Sequence, residues 1–121
     1  MFKQTLEDIQ RKTEGCLGVA IMGMDGIPVE QVWLSEGADL NLDVAVAEFT
    51  TLLRNTKRST GDLGLKRLLE VSVLCESAYF NMRMINEEYF LVLALHPEGN
   101  FGRGRYELRR AEMILEQDFA I

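Results

Sequence analysis

The spacing of apolar positions changes along the chain and divides it into three helical and five extended segments. Phe2, Leu6, Ile9 and Thr13 recur at intervals of four, three and four, one face of a helix, and Gly15 is a natural stop. A helix over 2–14 is predicted. Leu17 to Met22 is a short, almost uniformly apolar run followed by Asp25-Gly26, a dipeptide that adopts the positive φ angles of a tight hairpin turn. The second strand, 27–34, contains Pro28, which donates no ladder hydrogen bond, and the polar Glu30 and Gln31, so it belongs at a sheet edge. Trp33 ends that strand and is expected to pack under the first helix.

Asn41 caps a second helix with Leu42, Val46, Phe49, Leu53 and Thr56 as the inward stripe and Gly61 at its exit. Its other face carries Asp43, Thr50, Arg54, Lys57 and Arg58, positions that solvent or a partner should meet. Strand three is expected over 68–75 and strand four over 79–85, the latter alternating Phe80, Met82 and Met84 against Tyr79, Asn81 and Arg83. After the polar turn Asn86-Glu87-Glu88, the run 89–95 is apolar throughout, as in a central strand covered on both faces. A last helix buries Leu108, Ala111, Leu115 and Phe119.

This order, α-β-β-α-β-β-β-α, implies an α/β (α+β) domain over residues 1–121, a five-stranded, mostly antiparallel sheet with helices on both faces. The all-apolar strands one and five should be central neighbours, with strands two and three at the edges. Strand three is the more vulnerable edge, because Leu68, Leu69, Val71, Val73 and Leu74 meet only Glu70 and Ser72 as polar relief. An open apolar edge invites pairing, so a homodimer through Leu68, Glu70, Val71, Ser72 and Leu74 is expected.

Composition narrows the function. With 47% hydrophobic and 26% charged residues the chain reads as globular, and 121 residues suffice for one core. A net charge of −6 argues against nucleic acid as the main partner, and no apolar run approaches the roughly 20 residues that cross a bilayer. The start of the chain lacks the apolar core of a signal peptide, so a cytoplasmic location without membrane insertion is expected. Cys16 and Cys75 have no metal-ligand spacing and are expected to be buried, reduced thiols.

No catalytic residue, metal site or cofactor is expected. His96, the single histidine, stands beside Pro97 in a loop, and no nucleophile motif occurs. The run Gly99-Asn100-Phe101-Gly102-Arg103-Gly104 precedes a helix but lacks the Lys-Ser/Thr pair of a nucleotide-binding loop. In the last helix Arg103 can meet Glu107, and Arg109 can meet Glu112. A second concentration of charge, Arg54, Lys57, Arg58, Lys66 and Arg67, suits a protein partner. Met22, Met24, Met82, Met84 and Met113 are expected to fill core gaps.

Taken together, the segments resemble the roadblock domains, first described in dynein light chains. Gly15-Cys16-Leu17-Gly18-Val19-Ala20 leading to Asp25-Gly26-Ile27-Pro28-Val29 resembles the family's first hairpin. The stretch 100–111 resembles its Asn-x-Gly-x-x-Arg-x-x-Leu signature through Asn100, Gly102, Arg105 and Leu108. Asn100 and Gly102 would shape the helix start, Arg105 would bond nearby carbonyls or carboxylates, and Leu108 would dock on the sheet. Arg103-Gly104 departs from the two apolar residues usual there, which implies a looser first turn. The resemblance implies a roadblock/profilin-like fold, dimers joined through helix two and strand three, and association with small GTPases. Members similar to mutual gliding protein B activate their GTPase without hydrolysing anything themselves. The reading is therefore a non-enzymatic regulator of a Ras-like small GTPase, activating or effector-type, that binds through Thr50, Arg54, Lys57 and Arg58. Its alternatives are a dimeric scaffold or adaptor in a signalling or motility complex, and a small-ligand sensor. The identity of the GTPase, the direction of any effect on turnover and pairing with a paralogue are not legible in the sequence.

Overall fold

The computed structural model describes residues 2–34 and 40–119. Helix α1 (Phe2–Lys12) is followed by strands β1 (Cys16–Gly23) and β2 (Pro28–Trp33), helix α2 (Leu42–Asp62), strands β3 (Glu70–Leu74), β4 (Tyr79–Met84) and β5 (Tyr89–Leu95), and helix α3 (Phe101–Leu115). The strands form one sheet in the order β2-β1-β5-β4-β3, and every pairing is antiparallel. The two all-apolar strands lie side by side at its centre, as their composition requires.

Two apolar layers hold the helices on opposite faces. Leu42, Val46 and Leu53 of α2 pack with Ala20, Met22, Phe80, Met82, Met84, Phe90 and Val92. Leu6 and Ile9 of α1 and Leu108, Ala111 and Leu115 of α3 pack with Val19, Ile21, Leu91 and Leu93. The alternation of β1 and β5 thus feeds both layers, which is why neither strand shows a polar face.

Several element ends differ from expectation for local reasons. Helix α1 stops at Lys12, before Gly15 turns the chain at a φ of +84°, yet Thr13 is still buried. A side chain on Gly15 would collide with Gly99, where two loops cross: its Cβ would stand 2.6 Å from Gly99 Cα. Strand β3 begins only at Glu70, because Gly64 and Lys66 both take positive φ (71° and 68°) and delay the extended run. Helix α3 ends at Leu115, but Phe119 continues its apolar role by stacking on Phe2 (5.0 Å) and packing at a tilt against Tyr89 (4.6 Å).

Some side chains lie elsewhere than expected. Trp33 packs against the α2 layer, not under α1, and its Nε1 donates to Asp43 Oδ1 at 2.9 Å. The opposing residue is Gly18, whose missing side chain leaves room for the indole. Met113 is 66% exposed and fills no core gap. Cys75 is exposed too, because it follows β3 at the start of a turn, whereas Cys16 is buried and burial pushes its thiol up to about 11, partly offset by a backbone hydrogen bond from Gly18.

Candidate partner-binding site

Asn41 starts α2 by accepting a hydrogen bond from the Val44 N–H (3.2 Å), and 21 residues then carry the chain across the sheet. On the outward side of its second half stand Arg54, Lys57 and Arg58. With Met24, Gly61 and Asp62 they line a shallow depression at the rim of the sheet. Two of these cations are already fixed. Arg54 Nη1 donates to the Met24 carbonyl at 2.6 Å, and Lys57 Nζ donates to the Glu87 carbonyl at 2.9 Å and pairs with its carboxylate at 2.6 Å. The Met24 N–H in turn bonds the Glu88 carbonyl (2.8 Å), so both hairpin turns and α2 form one connected rim. Arg58 is exposed and bonds no other described residue.

Thr50 does not belong to this face. It is 1% exposed and its hydroxyl donates to the Val46 carbonyl at 2.7 Å. The reason is helical geometry: Thr50 follows Val46 by four residues and Leu42 by eight, which puts it on the buried stripe. A hydroxyl that bonds its own helix fits there without an external partner. Lys66 and Arg67 are exposed on the connection to β3.

The expected pairing edge has two distinct sides. Val71 and Val73 pack with Leu68 against the α2 layer, while Glu70 and Ser72 face the α3 layer. Leu68 lies before the strand rather than in it. Glu70 Oε2 accepts from Arg105 Nε (3.0 Å) and Nη2 (2.5 Å), and its other oxygen lies 3.7 Å from Arg83. Ser72 Oγ accepts from Asn81 Nδ2 at 2.8 Å. These two polar side chains are engaged within the chain, whereas Leu69 (49% exposed) and Leu74 (54%) stand open beside a strand edge that no described residue pairs.

The residues of the 100–108 signature divide their work. Asn100 Oδ1 accepts from the Arg103 N–H (3.0 Å), its carbonyl accepts from the Gly104 N–H, and its own N–H bonds the Glu14 carbonyl. Leu108 is fully buried on the sheet, and Arg105 ties α3 to β3 through Glu70. Gly102 meets nothing that a side chain would disturb, so it does not shape the turn. Gly104 does: a Cβ there would come 2.5 Å from Leu93 Cδ2 and 3.3 Å from Thr13 Cγ2. The first turn of α3 therefore packs tightly on the sheet, not loosely. Glu107 binds Arg103 (2.7 Å) as expected, but Glu112 pairs with Arg83 (3.2 Å) across to β4 instead of with Arg109.

Sequence reasoning missed the rim contacts of Arg54 and Lys57, each of which joins groups 30 residues apart. Helical periodicity places a side chain on a face but carries no information about which distant carbonyl it reaches.

Solved structures with the same architecture identify the lineage, although no family model matches the chain and no curated protein does. MglC from Myxococcus xanthus is 38% identical over 98% of each chain, with a TM-score of 0.70. The gliding protein MglB from Thermus thermophilus is 19% identical over 95% of this chain and 85% of its own, with a TM-score of 0.83. A Roadblock/LC7 domain from Streptomyces avermitilis is 12% identical over 98% and 97%, also at 0.83. The last two share the fold, and the first shares enough sequence over its whole length to mark kinship. The chain belongs to the roadblock family.

Proposed function

We propose that the chain is a regulator of a Ras-like small GTPase that carries out no chemistry of its own. Two copies would join along β3 and α2 and present the outer face of α2 as a docking platform. The observation that supports this best is the rim of Arg54, Lys57 and Arg58. Arg54 and Lys57 are held by backbone carbonyls of two hairpin turns, so little side-chain freedom is lost when a partner docks. Phosphoryl transfer depends on positioning and charge stabilisation, so a rigid basic surface that steadies a switch loop can change its rate. Kinship with MglC, and the fold shared with the gliding protein MglB, support a place in such a regulatory system.

A scaffold that touches no GTPase is the second reading. It is favoured by the same contacts, because pairing within the chain leaves Arg58 as the cation of this rim with no bond to another described residue. Affinity capture from the native cell, with a GTP analogue and with GDP, separates the two. The regulator reading expects a small GTPase enriched in one nucleotide state and lost when Arg54→Glu and Arg58→Glu are combined. Nucleotide-independent partners, or binding and GTP turnover that ignore this double reversal, favour the scaffold.

A further inference from the structure

Helix α3 carries four arginines and two glutamates, a local surplus of positive charge in a chain of net charge −6. Those charges are distributed unevenly around the helix. Glu107, nearly buried, takes Arg103 and Arg110 on the side toward α1. On the opposite side, toward β3, a groove of about 270 Å³ is lined by Glu70, Arg83, Gly102, Arg105, Tyr106 and Arg109. Arg83 is committed to the fold, 16% exposed between Glu70 and Glu112. Arg105 is half exposed although it bonds Glu70. Arg109 is exposed and bonds no other described residue, so both local carboxylates are taken and a cation is left over.

Three further observations give the groove a chemistry. Gly102 stands in its wall within the first turn of α3, where glycine weakens a helix and nothing nearby requires it, since a Cβ would meet only Asn100 Oδ1 at 3.8 Å. Its effect is to leave the wall low. Tyr106 (57% exposed) and Met113 (66%) offer apolar surface on either side of Arg109, at spacings of three and four residues that place them along one side of the helix. From Gly102 to Met113 the helix rises about 16 Å, at 1.5 Å per residue, the length of roughly five residues of extended chain.

We propose that this groove is a second docking site, on the face of the sheet opposite α2, for an extended acidic segment of a partner protein whose carboxylates alternate with apolar side chains. A carboxylate would reach the guanidinium groups of Arg109 and Arg105, which bind carboxylates in a fork geometry. The apolar side chains would lie on Tyr106 and Met113. Charge complementarity selects this occupant, because a basic segment would meet Arg105 and Arg109 while Glu70, the carboxylate among the described lining residues, is already paired.

The site is independent of the α2 rim and is tested without a GTPase. Fluorescence anisotropy is measured on the full chain with a labelled Glu-Leu-Glu-Leu-Glu peptide and with its Lys-Leu-Lys-Leu-Lys counterpart. The acidic peptide should bind, more weakly as ionic strength rises, and the basic one should not. Arg109→Glu, a change at an exposed residue that bonds no other described residue, should weaken binding at least about tenfold, one factor of ten in Kd. Arg109→Lys should lose less. Lys3→Glu, an equal change of net charge on exposed α1, should lose almost nothing. Equal losses for Arg109→Glu and Lys3→Glu, equal binding of both peptides, or no acidic-peptide binding at millimolar concentration would overturn the proposal. So would retention on anionic lipid vesicles with no affinity for the peptide.

Discussion

Replacing Gly18 by alanine perturbs the point where the edge strand, the central sheet and α2 meet. The new Cβ would stand 2.2 Å from Trp33 Cε3, 2.9 Å from Cζ3 and 3.1 Å from Leu42 Cδ1. The first two contacts are too close to persist, and an indole ring cannot yield by turning a terminal methyl. Trp33 must shift, which strains its bond to Asp43 and loosens the start of α2. Overpacking of this kind costs about 1–3 kcal/mol, and the entropy advantage of alanine over glycine returns roughly 0.5 kcal/mol. A net loss of about 0.5–2.5 kcal/mol is expected. At roughly 2.1 cal/mol/K per residue, 121 residues have an unfolding entropy of about 0.25 kcal/mol/K, so Tm should fall by about 2–10 °C. Trp33 is the single tryptophan, and its emission should move to the red in the folded variant. Gly61→Ala provides the contrast, since outside its own turn of α2 no described atom lies within 4 Å of its Cβ position. It should raise stability by up to ~1 kcal/mol with emission unchanged. A Gly18→Ala variant as stable as the native chain, with the native emission maximum, would refute the close-approach argument.

The two thiols should behave oppositely. Cys75 should react with a thiol reagent at mildly alkaline pH while Cys16 stays silent in the folded chain. Because burial raises the Cys16 value from 9.0 to about 11, the unfolded chain loses this proton first as pH rises. Stability therefore carries no penalty from this thiol below pH 9 and falls between about 9 and 11, by an amount on the order of 2–3 kcal/mol. Denaturant melts across that window should show the native chain losing this stability as pH rises and Cys16→Ala keeping it. Arg105→Ala should release Glu70 and loosen β3. Arg105 is half exposed, so the stability lost should be modest, about 0.5–1 kcal/mol, and smaller at high salt. Hydrogen exchange of the β3 amides should accelerate, and unchanged exchange would argue against a tie from helix to edge.

Much of the fold was legible because its signals are local. The Asp25-Gly26 turn, the uniform apolarity of 89–95 and the Asn41 cap each depend on residues close in sequence, and they fix element order and the central pairing of β1 with β5. The tertiary consequences were less accessible. Thr50 looked like part of a polar face because of its hydroxyl, but the Val46 carbonyl satisfies that group and the stripe buries it. Gly104 looked like a weak packing position, whereas the absence of its side chain permits the close contact of α3 with Leu93. The pairing of Glu112 with Arg83 shows the same limit, since spacing within a helix favoured Arg109 and the sheet supplied a nearer partner. The basic rim was identifiable as charge, but its attachment to two turns depends on the topology.

The proposed regulator requires two copies to meet along β3, beside the open Leu69 and Leu74. Analytical ultracentrifugation of the native chain at micromolar concentration, beside a Leu69→Glu/Leu74→Glu variant, measures this directly. A native dimer that the paired substitutions convert to a folded monomer is the predicted result; a native monomer, or a dimer indifferent to both substitutions, contradicts it.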